Sequence, residues 1–328
     1  MPDPNVLYAV TAVVVLGLVT WVTLVLMRPA TSAPGRVGKL VAEPRSPVGA
    51  GAGAGPGVDP DQDDSPTGPN ALILVTAVGR TDPGLERNHN EDAYAILEDH
   101  HLFVIADGMG RHAAGEVASR LCVEAVREAF RSSAFGPPRE PTLAKRAARL
   151  RGAILIANER VLAESRANEA YAGMGTTVVA AYFSPNNQRA YIAHVGDSRC
   201  YRVRRGELTQ LTTDHTLGAA GIGGSRASLL ARALGVEDHV DVDVAVESPL
   251  PGDVYLLCSD GLSRMVPAED IRATLLSTED LDLATKTLVD KANQGGGRDN
   301  ITAIVVRVDH ATASGHHSLS AGGKLRTP

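Results

Sequence analysis

Aromatic side chains are scarce, with one Trp, seven Tyr and four Phe in 328 residues. Any core must therefore be filled by aliphatic residues, and an apolar content of 44% supplies enough of them for one large domain or two ordinary ones. Cysteine is scarcer still. Cys122, Cys200 and Cys258 are odd in number, contain no Cys-x-x-Cys pair and each sit in an apolar context. They read as buried free thiols in a reducing compartment. Positive charge is not in excess either: the formal net charge is -6, which argues against nucleic acid as the main partner. No G-x-x-x-x-G-K-[ST] occurs, which argues against a P-loop nucleotide site.

What the chain does have is one long uncharged run. Residues 6–27, VLYAVTAVVVLGLVTWVTLVLM, carry no charge. At about 1.5 Å per helical residue they can cross a hydrocarbon core of about 30 Å. A cleaved signal peptide needs a basic leader, whereas only Asp3 precedes this run. Trp21 near its far end suits an interfacial anchor, and Arg28, Arg36, Lys39 and Arg45 all follow it. The positive-inside rule then places everything C-terminal of the span in the cytoplasm. The expected organisation is a short flank (1–5), a transmembrane helix (6–27), a Pro/Gly/Ala-rich disordered linker (28–70), a globular domain (71–309) and a disordered tail (310–328). The glycine pattern GAGAGAGPG at 49–57 lies within that linker, with no strand before it and no helix after it, so it is not a dinucleotide loop.

Inside the globular part, β-branched apolar segments mark strands: LILVTAVG, HLFVIAD, TTVVAAYF, RAYIAHVG, RCYRVRRG, DVYLLCSD and ITAIVVRV. Two long amphipathic helices fall between the second and third, with Ala118, Cys122 and Ala125 in one stripe and Leu150, Ile154 and Val161 in the other. Two more are expected near 267–277 and 279–293, with Pro267 suited to a first turn. Short turns such as SPNNQ and RRGE join most strands, which implies antiparallel pairing and an α+β or sandwich layering.

Carboxylates collect where these strands end. HLFVIAD stops on Asp107, followed by Gly108. DVYLLCSD stops on Asp260, followed by Gly261. RAYIAHVG is followed by Asp197, and Asp299-Asn300 immediately precede ITAIVVRV. Taken singly, each Asp-Gly is a common turn. In an antiparallel sheet, however, one strand's end lies beside the next strand's start, so all four can reach one rim. Packed like charges repel unless a cation intervenes, and a donor set of hard oxygens without Cys or His clusters suits Mg2+ or Mn2+. RNHNEDAY adds Glu91 and Asp92 to the acidic set and Arg87 as an anion ligand, since a guanidinium binds phosphate oxygens bidentately. Metals plus an arginine, with no Cys or Ser nucleophile constellation, point to metal-assisted phosphate ester hydrolysis.

In order along residues 72–308, ERNHNEDA, FVIADGMG, GMGTT, HVGDSRCY, LTTDHT, LCSDGL and GGRDNITAIVV resemble the PP2C (PPM) family of metal-dependent protein serine/threonine phosphatases, bacterial type. That resemblance implies a four-layer α-β-β-α sandwich, two antiparallel sheets flanked by helices. It also implies a cleft with two Mn2+ or Mg2+ ions bridged by a water or hydroxide, and a third, weaker ion. By motif match Asp107 would bridge both ions, Gly108 would offer its carbonyl, and Asp260 and Asp299 would complete the first ion's shell. Glu91 and Asp92 would support the centre through water, and Asp197 would share the third ion with Asp260. Arg87 would hold the substrate phosphate, Thr176 would lie near the cleft, and Asn300 would sit beside the centre and orient solvent. The implied partners are phosphorylated proteins, among them a membrane Ser/Thr kinase and its substrates, met by a monomeric catalytic domain tethered to the membrane by one helix.

The chain departs from the family pattern in three places. Met109 stands where animal members carry a His proposed as general acid, with His112 the only nearby imidazole. Arg111 replaces the second glycine of DGMGG, either as a further anion contact or as solvated surface. The flap HTLGAAGIGGSRASLL (215–230) is Gly-rich and short. The alternative to an active enzyme is a pseudophosphatase that keeps the fold as a phosphoprotein-binding module. A phosphatase for small esters is a third reading, made weaker by the anchor and linker.

Overall fold

The computed structural model describes residues 73–111, 114–135, 144–184 and 188–310. The expected span 6–27, the linker 28–70, His112 and the tail after residue 310 lie outside the described residues. Among the described residues no helix is long and apolar enough to cross a membrane.

Strand periodicity decides the architecture. Along β3 (Leu102–Met109), Phe103 and Ile105 join one buried cluster while Leu102, Val104 and Ala106 join another, so the strand is covered on both faces. β10 (Val254–Cys258) and β11 (Ile301–His310) behave alike: Tyr255, Leu257, Ile304 and Val306 face the first of these clusters, and Leu256, Cys258, Ala303 and Val305 face a third. The shared cluster is the interface between two sheets. The first sheet runs β1 (Ile73–Asp82), β11, β10, β7 (Arg199–Arg204), β8 (Glu207–Gln210). The second runs β2 (Asp92–Leu97), β3, β5 (Val178–Ser184), β6 (Arg189–Val195), β9 (Asp243–Glu247), with the two-residue β4 (Gly175–Thr176) paired to β3. Every pairing is antiparallel.

Helices close the outer faces. α1 (Ala114–Ser132) and α2 (Lys145–Ala167) cover the second sheet, where Ala118, Ala125, Ala147, Ala153 and Ala157 let backbones approach closely in place of the missing aromatics. α3 (Asp260–Ser263), α4 (Ala268–Ser277) and α5 (Leu281–Gln294) contribute Leu262, Ile271, Leu275, Leu288 and Val289 to the core under the first sheet. The expected α-β-β-α sandwich is thus observed. Each of its three cores holds one free cysteine: Cys122 on the buried face of α1, Cys200 between the sheets, and Cys258 at the end of β10 on the helix side of the first sheet.

Four details differ from the sequence reading. β3 runs on past Asp107 to Met109, because Gly108 and Met109 pair with Thr176 and Gly175. Pro267 is the residue before α4, not within its first turn. β11 includes His310, one residue into the expected tail. The edge strands β8 and β9, and β2 with them, were not among the expected segments.

Candidate active site

The site begins with a cross-strand pair. The β2–β3 register sets Asp92 directly opposite Asp107, so two carboxylates meet at one sheet rim. Gly108 has no room for a side chain: a Cβ there would lie 2.0 Å from the Gly115 carbonyl oxygen and 2.6 Å from that of Glu91. Its amide donates to the Glu91 carbonyl at 3.0 Å. The first turn of α1 is thereby pressed onto the strand, and Gly115 in turn rests against the Glu91 carboxylate. The glycine serves close approach of backbones, not a turn.

The other sheet supplies the rest. Asp260 opens α3 directly after β10 and Ser259. The Ser259 hydroxyl donates to Asp92 Oδ2 at 2.8 Å, and Thr302 Oγ1 donates to the same oxygen at 2.6 Å, tying the two sheets across the rim. Asp299 precedes β11; its Oδ1 accepts the Asn300 amide at 2.9 Å and its Oδ2 meets Arg87 Nη2 at 2.9 Å. Asp197, in the loop that crosses from β6 to β7, is 5% exposed, and its Oδ2 meets Arg264 Nη2 at 2.8 Å. The same nitrogen lies 2.8 Å from Asp260 Oδ2.

Hydrogen bonding corrects the role expected of Asn300 and sets Thr176 against Asp107. The Asn300 side chain is committed to backbone: Oδ1 accepts the Glu91 amide at 2.8 Å, and Nδ2 donates to the carbonyls of Pro83 and His89, each at 2.9 Å. It clamps the Arg87–Glu91 loop instead of orienting solvent. Thr176 is fully buried, with its hydroxyl donating to the Asp107 carbonyl at 2.9 Å; Thr177, next to it, is the one that lines the cleft. Arg111 is exposed and stands outside the cleft lining.

These carboxylates cannot all be ionised without help. Burial, and then the charges of Asp92, Asp260, Asp299 and Asp197, hold the Asp107 carboxyl well above the usual range. Burial pushes Asp92 up to about 7 against the two hydroxyl donors. Burial and Asp197 push Asp260 up to about 6, opposed by Arg264. Glu91 is raised by burial and held back by Arg87. Asp92 Oδ1 and Asp260 Oδ1 are buried with no hydrogen-bond partner. Unpartnered carboxylate oxygens at the acidic rim, beside a cleft of about 820 Å3 lined by Asp107, Asp197, Asp260 and Asp299, fit hard divalent cations.

The flap is rooted beside this cluster. His215 accepts the Gly196 amide on Nδ1 at 3.2 Å and faces Asp243 Oδ2 from Nε2 at 3.3 Å, while Arg232 Nη1 holds Asp243 Oδ1 at 2.8 Å. His194 stacks on His215 at 4.5 Å and donates from Nε2 to the Thr213 carbonyl at 2.8 Å. With both His215 ring nitrogens and His194 Nε2 engaged, the His194–His215–Asp243 group braces the flap root.

Sequence reasoning missed Ser259, Thr302, Thr177 and Arg264. Only Arg264 left a local signal, standing four residues after Asp260 in helical spacing.

A two-sheet sandwich with an acidic rim and arginines in the adjoining cleft is the architecture of a metal-dependent phosphatase. The chain belongs to the protein phosphatase 2C family, whose model matches residues 86–291, and is a protein serine/threonine phosphatase of that type. It is 36% identical over 244 residues to the serine/threonine phosphatase stp of Listeria monocytogenes, covering 70% of this chain and 94% of that one. The crystal structure of the Mycobacterium tuberculosis serine/threonine phosphatase PstP/Ppp matches with a TM-score of 0.63 at 34% identity, over 73% of this chain and 100% of that one. A catalytic domain of PstP in complex with 2 manganese ions matches with a TM-score of 0.63 at 35% identity, over 72% of this chain and 99% of that one.

Proposed function

We propose that this chain hydrolyses phosphoserine and phosphothreonine in proteins at the rim described above, using two Mn2+ or Mg2+ ions. The observation that carries the reading is the convergence of Asp92 and Asp107 from one sheet with Asp260 and Asp299 from the other, two of them with unpartnered buried oxygens. Asp107, Asp260 and Asp299, with the Gly108 carbonyl, would hold the ions; Glu91 and Asp92 would support them through water. Two such ions supply Lewis-acid polarisation of the phosphoryl oxygens and lower the pKa of the attacking water. The protein's part is placement. Arg87, half-exposed on a loop clamped by Asn300, binds the phosphoryl oxygens and carries their growing negative charge. Its guanidinium pairs with Asp299 Oδ2, which holds it beside the acidic rim. Met109, which lines the cleft, offers no proton, and the leaving oxygen takes one from solvent.

The intact acidic set favours an active enzyme over a pseudophosphatase. Hydrolysis of a phosphothreonine peptide by the full chain should require Mn2+ and fall at least about a hundredfold in Asp260→Asn. Equal rates in the two proteins, or activity that survives EDTA, would sink the mechanism.

We further propose that the charge-free run 6–27 anchors the enzyme in a membrane with residues 71–309 on the cytoplasmic side, within reach of membrane Ser/Thr kinases and their substrates. The support is the run itself and the basic residues that follow it. A reporter fused after residue 328 that works only outside the cytoplasm would overturn this orientation.

A further inference from the structure

Arg264 is a charged cleft residue that neither the sequence reading nor the proposed chemistry uses. It follows α3, four residues after Asp260, and one of its nitrogens is shared: Nη2 lies 2.8 Å from Asp197 Oδ2 and 2.8 Å from Asp260 Oδ2. The carboxylates on either side are buried, at 7% and 12% side-chain exposure, whereas the arginine reaches in from a 44% exposed position. They come from separate elements, the β6–β7 loop and α3, so nothing local obliges them to converge. Two buried carboxylates aimed at one point need a cation there. A nitrogen 2.8 Å from each oxygen sits close to where an oxygen-bound Mg2+, at about 2.0–2.1 Å from its ligands, would sit.

We propose that Arg264 is a tethered cation that fills the place between Asp197 and Asp260, so that this phosphatase carries covalently a positive charge that would otherwise have to come from a further divalent ion. The inference rests on the two-ion reading above and concerns a separate position: Asp107, Asp92 and Asp299 make no ion pair with Arg264, and Asp260 Oδ1 stays free for the main centre. The expected third, weaker ion at Asp197 is thereby replaced. A guanidinium is always charged and needs no free ion, so the charge at this position does not follow the cellular concentration of Mn2+ or Mg2+. It is also bulky and planar, and it lines the cleft together with Asp197 and the flap residues Leu229 and Leu230.

The test is ion counting. Full chain in detergent is dialysed against Mn2+ from micromolar to millimolar concentrations, and bound metal is measured by elemental analysis. The wild type should stop at two ions per chain. Arg264→Ala should take up a third at the high end, and adding Asp197→Asn should return it to two. Arg264→Lys, which keeps the charge, should stay at two. Circular dichroism and thermal melts accompany each variant, and Arg264→Ala should show an extra Mn2+-dependent rise in melting temperature that the double variant lacks. Three ions in the wild type, or two in both wild type and Arg264→Ala, would overturn the tethered-cation proposal while leaving the two-ion centre standing. Fewer than two in the wild type would overturn both.

Discussion

At the scale of single residues, the proposed reaction separates groups that would touch substrate from groups that hold others in place. Arg87 would belong to the first kind. Arg87→Ala should lower kcat/KM for a phosphothreonine peptide by about a hundredfold with Mn2+ binding retained, and Arg87→Lys should recover only part, since a point charge cannot reproduce the planar fork. Steady-state kinetics alongside metal titration separate these outcomes; unchanged kcat/KM in Arg87→Ala would remove it from the mechanism. Gly108 belongs to the second kind. A methyl group there would strike backbone, not a movable side chain, so Gly108→Ala should cost roughly 1–3 kcal/mol or more in urea unfolding as α1 is pushed off β3. The aspartates were legible in the sequence because a carboxylate at the end of an aliphatic run stands out. Ser259 and Thr302 were not, since they meet Asp92 from 167 and 210 residues away, and only the docked sheets bring them together. Asn300 was legible as a neighbour of the site but not as a clamp, because its partners are backbone groups of a distant loop.

At the scale of elements, the junction of β2 with the start of α3 carries a pH dependence. Asp92 and Asp260 hold their protons to about 7 and about 6 in the ion-free fold, against an ordinary value of 3.8 for each. The folded state therefore binds more protons than the unfolded chain between those limits. This contribution to stability is fully present below the ordinary value and is lost as pH rises through the raised ones. In EDTA the melting temperature should fall from about pH 5 to about pH 8, and saturating Mn2+ should abolish the fall by favouring the ionised carboxylates. Differential scanning calorimetry across that range decides it; a flat or rising profile in EDTA would contradict the arrangement. Asp92→Asn should make the EDTA profile shallower. Elements with a two-sided apolar pattern, such as β5 and β11, were readable in advance. β8 and β9 were not, because ELTQ and DVAVE are short, largely exposed edge strands bounded by polar residues and offer no long apolar run. β2 escaped for a different reason: its first residue is an acidic site residue, and its sequence reads as the end of the loop before it.

At the scale of the whole molecule, the acidic rim is assembled only when the two sheets are docked. Asp92 and Asp107 come from one, Asp260 and Asp299 from the other, and Asp197 from the chain that crosses between them. Ions held there act as a clasp on the sandwich. Mn2+ at a hundredfold excess over its dissociation constant should add about 2.7 kcal/mol per site to the unfolding free energy. Chemical denaturation with and without Mn2+ measures it, and an unfolding midpoint indifferent to Mn2+ would place the ions away from the sheet junction. An α+β or sandwich layering was legible in the short turns and grouped helices, and the four layers only through the family resemblance. Which carboxylate pairs with which cation was not, because that depends on distances set by packing.

The three cysteines gain a use from their distribution. Each thiol is completely buried, burial pushes Cys122 and Cys258 up to about 12 and Cys200 higher still, and each occupies a different core. Alkylating reagents can therefore reach each one only when its own layer opens. The native chain carries an internal stopwatch with three hands: timed labelling read by mass spectrometry, with no engineered probe, will tell whether the helical shells peel away one at a time or the sandwich comes apart as a unit.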